Sequence, residues 1–180
     1  STTATVVLAD EGAIRTHFQE ERLRTHPASG GNSTLLRARE DAEMREHAGG
    51  VIDAVSWTGP AMVEFMETPA GEHHLIEVNG RYWGSLPFAI RSGVDIPWYH
   101  YRQLRGLPVD PPASYRTDRL QQRLVYGDLK WLLEAVRSGN LLAPLTVLWT
   151  SLVADVTFVS LRDPMPTVET VRQMTELVGT

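Results

Sequence analysis

Two apolar segments joined by a short turn constrain the fold of this chain more than any other feature. The first segment is Ala61–Met66 and the second is His74–Leu86. Between them lies Thr68-Pro69-Ala70-Gly71-Glu72, and proline and glycine between two apolar runs predict a turn. The region therefore predicts an antiparallel β-hairpin.

This hairpin brings four polar side chains near one another. Side chains alternate along a strand, so Glu77 and Asn79 share a face, and Arg81 has the same parity. A hairpin closed by this turn places Glu64 opposite Glu77, at the ~5 Å spacing of directly opposed residues. Two carboxylates this close repel unless a cation lies between them. Because oxygen ligands beside an arginine suit Mg²⁺-bound polyphosphate, the pattern indicates a site for metal and phosphate.

The alternative interpretation is a hairpin whose carboxylates are solvated or paired with a neighbouring arginine. Either glutamate taken alone fits this alternative. Glu64 stands between Val63 and Phe65, and Glu77 also has apolar neighbours. A charge inside so apolar a strand is costly when the strand is covered, unless it is paired or metal-bound. The joint pattern therefore shifts the interpretation toward a functional site.

The hairpin and the residues after it resemble a known signature. Gly59-x-Ala61-Met62-Val63-Glu64-Phe65, followed by Leu75-Ile76-Glu77-Val78-Asn79-Gly80-Arg81-Tyr82-Trp83-Gly84-Ser85-Leu86, is similar to the C-terminal part of the ATP-grasp superfamily. The carboxylate–amine ligase branch, with its recurring E-(I/V)-N-x-R-(F/Y)-W-G-S run, is the most similar. The resemblance extends over about Val6 to Val109.

The resemblance implies a set of metal and phosphate contacts. Glu64, Glu77 and Asn79 would bind Mg²⁺, with Glu77 as the bridging ligand. Arg81 would contact the transferred phosphate or an acyl-phosphate. The cofactors implied are ATP and Mg²⁺, and the substrates implied are a small-molecule carboxylate and an amine.

Further contacts are implied around these residues. Backbone and hydroxyl donors to the substrate would come from Gly84 and Ser85, and the nucleotide slot would be lined by Met62 and Leu75, taken to share the face of Glu64. A basic position near the phosphates would be filled by Arg22 or Arg24, and the Gly30-Gly31-Asn32-Ser33 loop would lie near the carboxylate. Core packing is the alternative for Met62 and Leu75. Pairing with Glu20 or Glu21 is the alternative for the two arginines.

The sequence departs from the family pattern in two ways. Gly80 stands where the family usually has proline, and its freer backbone makes the placement of Arg81 less constrained. A full ATP-grasp protein also has an upstream lobe, which this sequence does not show. The chain is therefore interpreted as the C-terminal catalytic part of an ATP- and Mg²⁺-dependent ligase, expected to be inactive alone. The alternative is a truncated or non-catalytic nucleotide-binding module that needs a missing lobe or partner.

Other segments predict the elements around the hairpin. Strands are predicted at Thr5–Ala9, Ala13–Thr25 and Gln122–Tyr126. Helices are predicted at Arg39–Val55, Leu86–Arg91, Ile96 to near Gly106 after an Asp95 N-cap, Leu129–Arg137 after an Asp128 N-cap, Leu141–Val153 and Val168–Val178. The predicted fold is α+β, with a mostly antiparallel sheet and flanking helices, followed by a helical C-terminal extension. The ATP-grasp-like lobe is assigned residues 1–113 and the extension packed on it 114–180.

Composition excludes several classes of protein. A net charge of -5 argues against a general nucleic-acid binder. No apolar run reaches the ~20 residues of a membrane span, and a signal-peptide pattern is absent. A chain without cysteine fits a cytoplasmic location. Uncovered sheet edges favour pairing, which makes a homodimer a candidate assembly. His73 and His74 point to opposite faces, so solvent exposure is predicted for them rather than a shared metal ion.

Overall fold

The computed structural model describes residues 1–27, 31–123, 127–157, 163–166, 168–169 and 172. The strands in these residues are β1 (Thr2–Asp10), β2 (Ala13–His26), β3 (Asn32–Arg39), β4 (Gly59–Glu67), β5 (His73–Asn79), β6 (Leu120–Gln122) and β7 (Asp155–Val156). The helices are α1 (Ala42–Ala54), α2 (Leu86–Arg91), α3 (Ile96–Leu104), α4 (Leu129–Arg137) and α5 (Ala143–Val153). Within these residues, none of the helices has the length and apolar character needed to cross a bilayer.

The strands form one sheet in the order β5-β4-β1-β2-β3-β6-β7. β1 pairs antiparallel with β2 and β4, and β4 pairs antiparallel with β5. β6 and β7 run parallel. This arrangement confirms the predicted α+β fold with a mostly antiparallel sheet and flanking helices.

The predicted hairpin is formed by β4 and β5. The Thr68 carbonyl accepts a hydrogen bond of 3.0 Å from the Gly71 amide, and the Thr68 amide donates one of 2.9 Å to the Glu72 carbonyl. Gly71 has a φ of 88°, in the left-handed region that favours glycine. The strand register sets Glu64 opposite Glu77, which confirms the predicted opposition.

The segment between β2 and α1 differs from the prediction. Strand β3 lies where the sequence predicts no strand, and its Arg39 was expected to start the helix. Leucine, alanine and arginine in this strand are good helix formers, so burial in the sheet overrides local preference. Asp41 is the actual N-cap, because its carboxylate accepts a hydrogen bond of 3.0 Å from the Met44 amide.

The chain divides into two compact units. Unit 1 comprises 1–21 and 37–119, and unit 2 comprises 22–36 and 120–180. The division into 1–113 and 114–180 stays a prediction about domains. Most of the predicted helix Val168–Val178, and the end of the predicted strand Gln122–Tyr126, lie outside the described residues.

Unit 1 buries both faces of its sheet. On one face, α1 packs through Met44, Ala48 and Ile52 against alternate residues of β1 and β4. On the other face, Phe18 of β2 contacts Phe88 of α2 edge-to-face, with ring centroids 5.2 Å apart. The carboxylates predicted to bind metal are on this second face, because Glu64 alternates with the α1-facing residues of β4.

Unit 2 is organised around a buried ion pair. Arg24 Nη1 donates to Asp128 Oδ1 at 2.6 Å, and the Arg24 guanidinium lies 4.4 Å from the centre of the Trp131 ring. Asp128 precedes α4, as predicted, but its side chain does not cap the helix. The expectation that Asp128 caps by its carboxylate is therefore wrong, since both oxygens are used by Arg24 and Gln122.

Candidate functional site

Three carboxylates lie in one row across the sheet of unit 1. Glu77 pairs with Glu64, Glu64 pairs with Ala4, and Ala4 pairs with Glu20. Residues directly opposed in antiparallel strands have their side chains on the same face. Neighbouring strands are ~4.8 Å apart, so the row places three acidic groups along roughly 15 Å of one sheet face.

The carboxylates of this row differ in exposure. Glu64 is 7% exposed, whereas Glu77 is open to solvent on the edge strand β5. Asn79 Nδ2 donates a hydrogen bond of 2.7 Å to Glu77 Oε1, which joins two of the predicted metal ligands. Met62 is buried opposite Asn79 and therefore lies on the same face, as predicted.

Leu75 lies on the other face of the hairpin. A bulge at Ile76 pairs Leu75 with Phe65, while Glu77 still pairs with Glu64. Phe65 is part of the core under α1. The predicted shared face of Leu75 and Glu64 is wrong, because an extra residue in one strand reverses the alternation.

The loop after β5 holds Arg81 at the surface. Arg81 is exposed, and its Nη1 donates a hydrogen bond of 3.1 Å to the Tyr82 carbonyl. Gly80 packs against Trp57, since a Cβ at residue 80 would lie 2.6 Å from Cη2 of the indole. The glycine at this position is therefore explained by the neighbouring ring. Gly84 is exposed in the same loop.

A tyrosine–histidine hydrogen bond fixes this loop to α3. The Tyr82 hydroxyl lies 2.8 Å from His100 Nδ1. Burial raises the pKa of Tyr82, and the negative charge of Asp95 raises it further. Burial lowers the pKa of His100, so both shifts favour the uncharged forms of the two partners.

The Ser85 hydroxyl is hydrogen-bonded to a residue that the sequence did not indicate. It donates a hydrogen bond of 2.5 Å to Oε1 of Glu20, and both residues are buried. Sequence reasoning missed Glu20 as a site residue and treated it as a partner for arginine. The signal that could have found it is the register of β2 against β1, which cannot be read from one strand alone.

The two arginines assigned to the phosphate site lie in unit 2. Arg24 is 7% exposed, and besides Asp128 it contacts Thr150, whose Oγ1 is 3.5 Å from Nη2. Its guanidinium is occupied by this buried pair, which is neither the predicted phosphate contact nor the alternative pairing with Glu20 or Glu21. Arg22 is half-buried. Of the loop expected near the carboxylate, Asn32 and Ser33 begin β3, and Gly30 lies outside the described residues.

The adjacent histidines at the start of β5 differ in environment. His74 is exposed, as predicted, with 65% of its side chain accessible. The His73 side chain is 2% exposed, so the prediction that it faces solvent is wrong. The His73 ring packs against the rings of Phe65 and His47, and each of their centroids is 6.0 Å from the His73 centroid.

Several solved structures share this fold. The phosphoribosylaminoimidazole carboxylase ATPase subunit from Aquifex aeolicus matches over 64% of this chain and 37% of its own, with a TM-score of 0.52 and 12% identity. A biotin carboxylase–beta-gamma-ATP complex from Campylobacter jejuni matches over 66% and 28%, with a TM-score of 0.52 and 15% identity. The biotin carboxylase domain of a single-chain bacterial carboxylase matches over 66% and 31%, with a TM-score of 0.51 and 17% identity.

The likeness to these structures confirms, at the level of the fold, the resemblance predicted from the hairpin motif. The likeness is in fold alone, since the identities are 12% and 15%. This chain spans 37% of the first neighbour and 28% of the second. Neither a family model nor a curated protein matches the chain.

Proposed function

We propose that this chain is the C-terminal catalytic part of an ATP- and Mg²⁺-dependent carboxylate–amine ligase. In that reaction a carboxylate oxygen attacks the γ-phosphorus of ATP and ADP leaves, which gives an acyl-phosphate. An amine then attacks the acyl carbon, phosphate leaves, and the nitrogen loses a proton. The observation on which the proposal rests is the register that sets Glu64 opposite Glu77, with Asn79 hydrogen-bonded to Glu77 on the same face.

The residues of this face fit Mg²⁺. The ion prefers oxygen ligands, and two opposed carboxylates with a carboxamide beside them supply such ligands. Glu64, Glu77 and Asn79 would hold the ion, which when bound would neutralise the charge of the phosphates. Glu64 is buried in an apolar strand, so its carboxylate is held away from solvent on the face that would carry the ion.

The other residues of the site bind and position. Arg81 is exposed at the end of β5, where its planar fork is available to a phosphate or acyl-phosphate oxygen. Met62 is buried beside Asn79 on the same face and supports it from within the sheet. Ser85 acts through Glu20, because its hydroxyl is already donated there, and this bond fixes the start of α2 beside the row of carboxylates. Catalysis of this kind depends on positioning and charge stabilisation, so no protein nucleophile is required.

The comparisons support the proposal at the level of the fold. Two of the similar structures are a carboxylase ATPase subunit and a biotin carboxylase complex with a nucleotide. Because this chain spans 37% of one and 28% of the other, a nucleotide site in the whole protein would also use residues outside this chain. A small-molecule carboxylate and an amine are the proposed substrates.

A titration of Mg²⁺-ATP into the chain tests the proposal. Binding is followed by calorimetry, with a parallel titration of ATP in EDTA. We expect saturable binding that requires Mg²⁺ and that weakens at least about tenfold in Glu77→Gln, which removes a carboxylate ligand. Glu72→Gln is the matched control, because Glu72 is an exposed glutamate in the turn of the same hairpin.

The outcomes separate the candidate functions. Loss in Glu77→Gln with normal binding in Glu72→Gln supports the metal and phosphate site. Equal binding by both variants would contradict the assignment. ADP formation that requires a carboxylate and an amine would exclude the alternative, a nucleotide-binding module without turnover.

A further inference from the structure

We propose that Glu43, His47 and His73 form a second metal site, which binds Zn²⁺ or a similar divalent transition-metal ion. One potential ligand atom from each of the three side chains lies within 4.8 Å of the other two. Glu43 and His47 are four residues apart on α1, so they share one face of the helix. His73 is the first residue of β5 and pairs with Glu67, on the sheet face that α1 covers. This is the face opposite the row of Glu64 and Glu77.

The buried ring of His73 is the observation that points to a ligand. Its side chain is 2% exposed, and within the described residues neither ring nitrogen makes a hydrogen bond. Nε2 lies 3.5 Å from Asp41 Oδ2, which is an ion-pair distance but not a hydrogen bond. A buried polar group without a hydrogen bond is costly, and a bound ion would satisfy one of these nitrogens.

The alternative cluster around the same histidine is less suited to an ion. Asp41 and Glu67 also lie near His73, but Arg39 already holds both of them. Its guanidinium nitrogens lie 2.6 Å from Asp41 Oδ2 and 2.7 Å from Glu67 Oε2. A cation there would displace or face the arginine. The side chains of Glu43 and His47 make no hydrogen bond or ion pair in the described part of the chain, so they can bind an ion without breaking one.

The donor set selects the kind of ion. Two imidazole nitrogens and one carboxylate oxygen suit Zn²⁺, whereas Mg²⁺ and Ca²⁺ prefer oxygen ligands alone. Zinc ligands lie about 2.0–2.2 Å from the ion, so tetrahedral ligand atoms are roughly 3.4 Å apart. Glu43 and His47 are exposed side chains on a helix surface and can rotate to close this gap.

Three protein ligands leave a fourth position for water or another small ligand. The site is thus open rather than closed. The site lies on the sheet face that α1 covers, whereas Glu64 and Glu77 lie on the opposite face. The two proposed metal sites can therefore be tested independently.

Cobalt absorption spectroscopy tests the proposal, because Co²⁺ substitutes for Zn²⁺ and gives visible bands that report its ligand geometry. The purified chain is treated with EDTA, dialysed and titrated with Co²⁺ in the absence of ATP, and Zn²⁺ is then added to displace it. We expect tetrahedral-type bands that saturate at one equivalent of Co²⁺. His47→Gln and Glu43→Gln should each weaken binding by at least about tenfold, since each removes one of three ligands.

Two controls keep the result specific. His74→Gln removes the exposed histidine next to His73, and Glu72→Gln removes an exposed carboxylate of the hairpin turn; both should give the same Co²⁺ bands as the unaltered chain. His73→Gln should lose binding, and the two helix-surface variants decide the matter if His73→Gln does not fold. Saturable binding that is unaffected by His47→Gln and Glu43→Gln would overturn the proposal. So would the absence of saturable binding, or its loss in His74→Gln.

Discussion

Replacing Arg24 by methionine should lower the free energy of unfolding more than replacing a surface arginine does. Methionine has a similar length but no charge, so Asp128 would be left without its cationic partner. The Asp128 side chain is 0% exposed and that of Arg24 is 6% exposed, with 2.6 Å between the paired atoms. Removing one member of such a buried pair costs about 3–5 kcal/mol, because the remaining charge is uncompensated. The methionine sulfur can keep contact with the Trp131 ring, so loss of the ion pair dominates the change.

Urea unfolding followed by tryptophan fluorescence and circular dichroism measures this change. Arg15→Met is the matched control, because Arg15 pairs with Asp10 at 2.8 Å but the two side chains are 49% and 36% exposed. Exposed pairs contribute about 0–1 kcal/mol, so the control should be nearly neutral. Adding Asp128→Asn to Arg24→Met should recover part of the loss, since the buried charge is removed. If Arg24→Met lowered the free energy of unfolding no more than Arg15→Met, the account of Arg24 as a structural residue would be refuted.

Two further predictions concern unit 1. Gly80→Ala should lower the free energy of unfolding by about 1–3 kcal/mol, because its Cβ would meet Trp57 ring atoms at 2.6 and 2.8 Å. In a Trp57→Phe background the added loss should shrink in urea unfolding; an undiminished loss would contradict this reasoning. The hydrogen bond from Arg39 holds the pKa of Glu67 below its ordinary value of 4.5 despite burial. Because the folded-state pKa is lowered, ionised Glu67 stabilises the fold above pH 4.5, and this contribution is lost as the pH falls below that value. Glu67→Gln should therefore make the free energy of unfolding fall less steeply in acid. Identical pH slopes for both proteins would count against this ion pair.

The hairpin could be predicted from the sequence because its signals are local. The turn residues fix where the chain reverses, and side-chain alternation then sets Glu64 against Glu77. Helix α3 was also predictable, since Asp95 and Pro97 mark its start. Leu75 was assigned to the wrong face because a bulge cannot be read from alternation.

The remaining features depend on contacts between distant segments. Arg24 and Asp128 are 104 residues apart, and nothing local in either segment indicates the pair. Glu20 joins the carboxylate row only through the register of three strands. His73 is at the edge of a hairpin in sequence, and its burial requires knowledge of where α1 packs.

Binding of Mn²⁺-ATP, measured by electron paramagnetic resonance in a double-mutant cycle, tests the central claim most directly. Mn²⁺ replaces Mg²⁺ and reports the bound fraction in the unaltered chain, Glu64→Gln, Glu77→Gln and the double variant. If the two opposed carboxylates hold one metal centre, each single variant should lose most of the bound signal and the double variant should lose little more. Thermal unfolding of each variant confirms that the fold is kept. Full binding by both single variants, or losses that simply add, would contradict a shared metal site on this hairpin.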